Sequence, residues 1–107
     1  MLMAKSKHVK EFAEDVRSLF RDRVDRIMLY GSYARDEEVP GSDVDIAVIL
    51  ERKEKDDRKK VQELAEEWMQ ETDLRFSARV FEKDDFEKKV KEGYSFHTNV
   101  QEEGVEI

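Results

Sequence analysis

The stretch from Val44 to Leu50 (VDIAVIL) constrains the fold of this chain more than any other segment. Six of its seven residues are apolar, so it is predicted to form a strand. Because apolar residues are nearly continuous in it, we expect both faces of this strand to be covered. The chain has 107 residues, which is the size of one domain, so residues 1–107 are predicted to form a single domain around this strand.

The segments around this strand show helical and extended patterns in turn. Apolar residues recur at helical spacing in two of them, and a third alternates apolar and polar residues as a strand does. In chain order we predict a helix at 5–21, a strand at 26–30, the central strand at 44–50, a helix at 57–71, a strand at 73–81 and a short helix at 84–93. The tail is expected to pack on the domain or to add an edge strand. This order predicts an α/β (α+β) fold, in which helices pack against a small, three-stranded mixed β-sheet.

The charge balance narrows the classes of partner. Twenty Lys and Arg residues against 27 Asp and Glu residues give a net charge of −7. This argues against a dedicated nucleic-acid-binding surface, because such a surface needs a basic patch that neutralises phosphates. The chain has no cysteine, which excludes disulfides and thiolate metal sites and agrees with a cytoplasmic location. The longest uncharged apolar run, residues 46–50, is too short to cross a bilayer, so no membrane partner is expected.

Gly31 and Ser32 form a turn signal directly after the strand predicted at 26–30. Free N–H groups at the start of a helical turn attract anions, a glycine lets a phosphate approach the backbone, and the serine adds a hydroxyl donor. Arg35 lies one helical turn later, where it could reach a phosphate or could face solvent beside residues 36–38. By itself the motif is weak, because a glycine–serine pair before a helix is usually an ordinary turn and cap.

Asp43 and Asp45 lie two residues apart where the central strand begins. The strand period of two places both carboxylates on one face, while Val44 and Ile46 point to the other. Neighbouring carboxylates repel each other, and their burial is costly unless a cation lies between them. Oxygen ligands of this kind favour Mg²⁺ or Mn²⁺. The alternative is that both aspartates belong to a solvated loop end, in which Ser42 and Asp43 are turn formers.

Together the two motifs form the pattern GSx10DxD, with ten residues between Ser32 and Asp43. The pattern resembles that of the DNA polymerase β-like nucleotidyltransferase superfamily. Within it, the short chain resembles the minimal nucleotidyltransferases (MNT), which act as antitoxins in HEPN/MNT pairs, over roughly residues 9–86. The resemblance implies the polymerase β-like fold and an enzyme that moves a nucleoside monophosphate, AMP from ATP, onto an acceptor hydroxyl. In related antitoxins the acceptor is a tyrosine of the HEPN toxin partner.

The resemblance also implies which residues form the site. Two Mg²⁺ ions, or Mn²⁺ in their place, would be held by Asp43 and Asp45, which would also be the catalytic residues. The nucleoside triphosphate would be held by the turn of Gly31 and Ser32, and Arg35 and Ser42 are further candidates for binding it.

A third carboxylate is usual in this family, on a later strand and on the same face as the pair. Asp73 is the only acid in the matching segment 72–81, so Asp73 is the candidate third metal ligand and catalytic residue. By alternation Asp73 shares its face with Arg75, Ser77 and Arg79. The usual position could instead correspond to Arg75 or Ser77, with Asp73 as a turn residue. Without a third acid, the chain would be a catalytically degenerate module that binds nucleotide or a partner.

Overall fold

The computed structural model describes the backbone of residues 2–107 and the side chains of residues 7–107. Four helices, one 3-10 turn at Arg21–Arg23 and four strands follow one another along these residues. In chain order they are α1 (Leu2–Phe20), β1 (Val24–Tyr30), β2 (Val44–Leu50), α2 (Asp57–Thr72), β3 (Phe76–Glu82), α3 (Lys83–Lys91), α4 (Ser95–Glu103) and β4 (Val105–Glu106).

The strands form one mixed sheet in the order β3-β2-β1-β4. The central strand β2 pairs antiparallel with β1 and parallel with β3, and β4 pairs antiparallel with the outer side of β1. The predicted mixed sheet with packed helices is confirmed. The sheet has four strands rather than three, because the tail adds the short edge strand β4.

Helices cover both faces of the sheet, as the apolar sequence of β2 predicts. The even-numbered residues of β2 are fully buried in a core that α1 and α2 close. On the opposite face, Ala47 and Ile49 are fully buried in a second core with Phe86 of α3 and Val100 of α4. Because successive strand residues point to opposite faces, Asp43 and Asp45 share the face of Ala47 and lie at its open end.

Several element bounds differ from the sequence-based prediction by one to three residues, and one helix was not predicted. Strand β3 begins at Phe76, not at residue 73, because Asp73 adopts a left-handed conformation (φ 60°) and its N–H donates to the carbonyl of Met69, which ends α2. Residues 95–103 form the helix α4, which was not predicted. That helix has a single fully buried residue, Val100, so its sequence carries little helical periodicity.

A buried ion pair joins the start of β1 to the start of α2. The two guanidinium nitrogens of Arg23 each donate to one carboxylate oxygen of Asp57, both at 2.9 Å. Asp57 is 1% exposed, and it also accepts the N–H of Glu54. The hydrogen bond from Arg23 is the main reason that the pKa of Asp57 lies below its ordinary value. This pair secures the end of the sheet that is remote from Asp43 and Asp45.

Among residues 2–107, none of the helices is both long enough and apolar enough to pass through a membrane.

Candidate active site

The segment that follows β1 is a compact series of hydrogen-bonded turns. Gly31 has a φ of 76°, in the left-handed region that favours glycine. The N–H of Arg35 donates to the carbonyl of Gly31 at 3.2 Å, and the N–H of Glu37 donates to the carbonyl of Ser32 at 2.8 Å. Residues 31–36 therefore form turns, and no regular helix begins at Ser32.

Asp45 is packed against this turn. A Cβ atom placed on Gly31 would lie 3.1 Å from Cγ of Asp45 and closer still to Oδ2, so no other residue fits at position 31 without a shift. The contact follows from strand register, because Tyr30, which precedes the turn, is paired with Asp45. The structure thus joins the two sequence motifs at one place, with the carboxylate of Asp45 at the backbone of Gly31.

Asp43 and Asp45 differ in their surroundings. Asp45 is partly buried, and its pKa is raised first by burial and then by the negative charge of Asp43, while the positive charge of Arg35 opposes the rise. Asp43 is exposed, and its Oδ1 lies 3.9 Å from Nε of Arg75. The two negative carboxylates repel each other, and Asp45 lies against a glycine turn. A divalent cation that prefers oxygen ligands would fit between them.

Strand β3 supplies basic and hydroxyl side chains to the same face. In the parallel register, Ser77 pairs with Asp45 and Arg79 pairs with Ala47, so Ser77 and Arg79 share the face of the carboxylates. The guanidinium of Arg79 lies 4.5 Å from the ring centroid of Phe96, within the range of a cation–π contact.

Tyr30 is paired with Asp45 on this face, and both Asp45 and Arg79 act on its pKa. Burial raises its pKa first, and the negative charge of Asp45 raises it further. The charge of Arg79 and a hydrogen bond from it act in the opposite direction. The ring of Tyr30 meets that of Phe96 edge to face, with centroids 5.4 Å apart. Tyr30 is partly buried at the edge of the second core.

Asp73 does not join the pair. It is exposed at the end of α2, and among the side chains of residues 7–107 no group of three or more His, Asp or Glu could hold a metal ion. The position on β3 that faces Asp45 is Ser77, because Asp73 ends the helix before the strand begins. The structure therefore offers two carboxylates for an ion, from Asp43 and Asp45.

The remaining nucleotide-binding candidates lie around the turn. Arg35 is exposed, and its Nε donates to Oε1 of Glu37 at 2.8 Å. Oγ of Ser42 accepts the N–H of Val39 at 2.9 Å, so its hydroxyl closes the turn that leads into Asp43. Arg35 thus faces solvent beside residues 36–38, which is one of the two alternatives considered from sequence, and its positive charge also opposes the rise in the pKa of Asp45.

Sequence reasoning did not identify Arg75, Arg79 and Tyr30 as members of one site. Alternation along 73–81 placed the two arginines on one face, and Arg75 was also a candidate for the position that the third carboxylate usually occupies. No local pattern indicates that Tyr30 pairs with Asp45, because that pairing depends on the register between β1 and β2.

Comparison with known proteins identifies the family. A family model described as "Nucleotidyltransferase domain" matches residues 9–103. Two proteins of Methanocaldococcus jannaschii, each named "Putative protein adenylyltransferase", are similar over nearly their full length. One is 34% identical over 102 residues, covering 95% of this chain and 96% of the relative, and the other is 30% identical over 100 residues, covering 92% and 94%.

A solved structure is similar in fold. It is a crystal structure described as a "putative nucleotidyltransferase" from Sulfolobus solfataricus, with a TM-score of 0.62 and 18% sequence identity. The match covers 98% of this chain and 80% of that one. At this identity the likeness supports the fold alone. Since the family model covers most of the chain and both relatives are at least 30% identical, this protein belongs to the nucleotidyltransferase domain family.

Proposed function

We propose that this protein is a Mg²⁺-dependent protein adenylyltransferase, which transfers AMP from ATP to a hydroxyl group of another protein. One observation carries the proposal: the carboxylate of Asp45 lies against Gly31, which supports a single site in which the aspartates would hold the ion and the glycine turn would hold phosphate. The names of the two relatives support the same reaction class.

The reaction makes one bond and breaks one. The acceptor oxygen bonds to the α-phosphorus of ATP, the bond from that phosphorus to the oxygen bridging it to the β-phosphorus breaks, and pyrophosphate leaves. The hydroxyl proton passes to solvent. Mg²⁺ supplies stabilisation of the negative charge that develops on the phosphoryl oxygens. Such chemistry needs positioned charge and no nucleophile from the protein.

The chain's own residues bind and orient the reactants. Asp43 and Asp45 would hold the ion, and Gly31 lets a phosphate approach the backbone because it has no side chain. Ser32 and Arg35 would donate hydrogen bonds to the triphosphate, and Ser42 orients the loop that precedes Asp43. Asp73 is left out of the ligand set, because it is not grouped with the pair.

For the acceptor, we infer a tyrosine of a HEPN-type toxin, with this chain as its antitoxin. The short chain and the GSx10DxD pattern support this assignment. An aromatic hydroxyl on a partner can approach from the β3 side, which Arg75 and Ser77 leave partly open to solvent.

Label transfer tests the proposal. The protein would be incubated with α-³²P-ATP, Mg²⁺ and the product of the adjacent gene, and label would be measured on that product. We expect Asp43→Asn and Asp45→Asn each to slow transfer at least about 100-fold, the range lost when one charge-stabilising group is removed. Asp22→Asn, an exposed aspartate at the other end of β1, is the matched control and should transfer at the wild-type rate. Equal transfer by all four proteins, or none with any nucleotide, would refute the enzyme.

A second candidate is a binding module that holds nucleotide or a partner and performs no transfer. The proximity of Arg75 to Asp43, together with the two-carboxylate site, favours it. Titration calorimetry with the partner discriminates the two functions. Wild-type partner affinity in an Asp43→Asn/Asp45→Asn variant, with no labelled product from the wild type, would select the module.

A further inference from the structure

Strand β3 presents positive charge to the carboxylate pair. The N–H of Val44 donates to the carbonyl of Arg75 at 2.8 Å, which places Arg75 beside the first aspartate. Arg75, Ser77 and Arg79 follow one another at a spacing of two on the face of Asp45. Arg75, just before β3, and Arg79, within it, are therefore the charged residues that this segment places on the face of Asp45.

Before any ion is bound, the two carboxylates are already matched in number by the two arginines on the neighbouring strand and the residue before it. Asp43 and Asp45 contribute two negative charges, and Arg75 and Arg79 contribute two positive charges. One divalent ion can be matched by the two carboxylates and by phosphate oxygens. A second ion would add two positive charges next to two guanidinium groups, with no third carboxylate grouped with the pair in residues 7–107.

The two arginines are held differently. Nε of Arg75 is 3.9 Å from Asp43, which is longer than a hydrogen bond, and its side chain is 67% exposed. It is free to leave Asp43 at little cost, because exposed pairs of this kind stabilise proteins only slightly. Arg79 packs over Phe96 and lies 5.3 Å from the ring centroid of Phe81, so its position is restricted.

We propose that this site takes a single divalent ion, at Asp43 and Asp45, and that Arg75 replaces a second cation. Arg75 pairs with Asp43 while the ion is absent. When the ion occupies the carboxylates, the guanidinium turns to the phosphate oxygens of the bound nucleotide. A guanidinium suits this role, because it is always charged and can donate two parallel hydrogen bonds. The inference rests on the proposed function, since it assumes that the nucleotide binds at this pair.

Counting the ions tests the first part. Mn²⁺ bound to the full chain would be measured by electron paramagnetic resonance at saturating α,β-methylene-ATP, which cannot transfer AMP. We expect one Mn²⁺ per chain in the complex. Two ions per chain would overturn the inference and leave the proposed transfer standing. A chain that binds neither the analogue nor Mn²⁺ would overturn both.

The Arg75→Gln variant tests the second part with two readouts of opposite sign. Affinity for Mn²⁺ alone should rise about twofold, because an exposed competitor of Asp43 is lost. Affinity for the analogue at saturating Mn²⁺ should fall about tenfold, because a charge-assisted hydrogen bond to phosphate is lost. Arg58→Gln, an exposed arginine at the start of α2, is the matched control and should change neither.

If Arg75 had only a structural role, its replacement would not change the affinities for Mn²⁺ and for the analogue in opposite directions. If Arg75→Gln raises Mn²⁺ affinity and leaves analogue affinity at the wild-type value, Arg75 only competes with the ion, and the inference fails. It fails also if both affinities are unchanged.

Discussion

Asp45 and Gly31 are in contact across two antiparallel strands, with the Asp45 carboxylate in the space that a side chain at position 31 would fill. The contact makes the glycine turn and the carboxylate pair of Asp43 and Asp45 a single unit. A change at either residue should therefore affect both the stability of the turn and the binding of an ion.

Gly31→Ala should destabilise the protein and weaken Mn²⁺ binding. The added Cβ meets Asp45 and also forces a residue with a side chain into a φ of 76°, so we expect a loss of about 2–4 kcal/mol in the free energy of unfolding. Urea denaturation measures it. Gly93→Ala is a matched control, because Gly93 has a similar φ of 81° and no atom within 4 Å of the added Cβ. Equal losses in the two variants would show that the contact with Asp45 contributes nothing.

Asp45→Asn should stabilise the protein without metal at neutral pH while it abolishes ion binding. Since the folded pKa of Asp45 lies above the ordinary value of 3.8, the folded state binds more protons there than the unfolded state. The free energy of unfolding of the wild type therefore falls as pH rises from about 3.8 through the folded pKa. The Asp45→Asn variant has no titrating group at this position, so it does not lose this stability.

The stabilisation should stay below about 1 kcal/mol, because Asp45 is only partly buried and solvent screens the charge. Thermal unfolding of both proteins between pH 3.5 and 7.5 measures it. The gap should be small at the lowest pH and grow as pH rises; a gap that shrinks with pH contradicts the raised pKa.

Asp57→Asn should be among the most destabilising single changes in the chain. It leaves the buried guanidinium of Arg23 without its carboxylate, which typically costs about 3–5 kcal/mol. Asp56→Asn is the control, because Asp56 is exposed and asparagine tolerates its left-handed conformation.

The effect of Asp57→Asn should also depend on pH. The folded pKa of Asp57 is lowered, so the stability that it contributes is present above pH 3.8 and is lost as pH falls through the folded pKa. Below that point the wild type and the variant should converge. A difference that stays constant down to pH 2 would mean that the charge of Asp57 is not what holds Arg23.

The pKa of Tyr30 should lie above that of free tyrosine, and Arg79 should limit the size of the increase. Removing the guanidinium in Arg79→Gln should raise the pKa of Tyr30 further, since Arg79 opposes the effects of burial and Asp45. Asp45→Asn should lower that pKa. Ultraviolet difference titration follows the phenol, and Tyr30→Phe assigns the signal. If the pKa of Tyr30 shifted in the same direction in both variants, Asp45 and Arg79 could not be acting on it in opposite directions.

The local sequence pattern was sufficient to predict the helices and strands whose buried apolar residues recur at a clear period. The bounds of β2 match the predicted 44–50, and those of α2 differ from the prediction by one residue. Pattern failed where burial is slight. Helix α4 has one fully buried residue, Val100, and β4 is an exposed two-residue strand, so neither carries a period that identifies it.

By itself, the sequence determined the covered central strand and the shared face of Asp43 and Asp45, because those follow from composition and the period of a strand, and its motif pair carried the resemblance to the nucleotidyltransferases. Only the tertiary structure placed Asp45 against Gly31, set Arg75 beside Asp43 and left Asp73 at the end of α2. Those relationships depend on the register between strands and on where a helix stops. Both are decided by packing among residues distant in sequence, so no local pattern contains them.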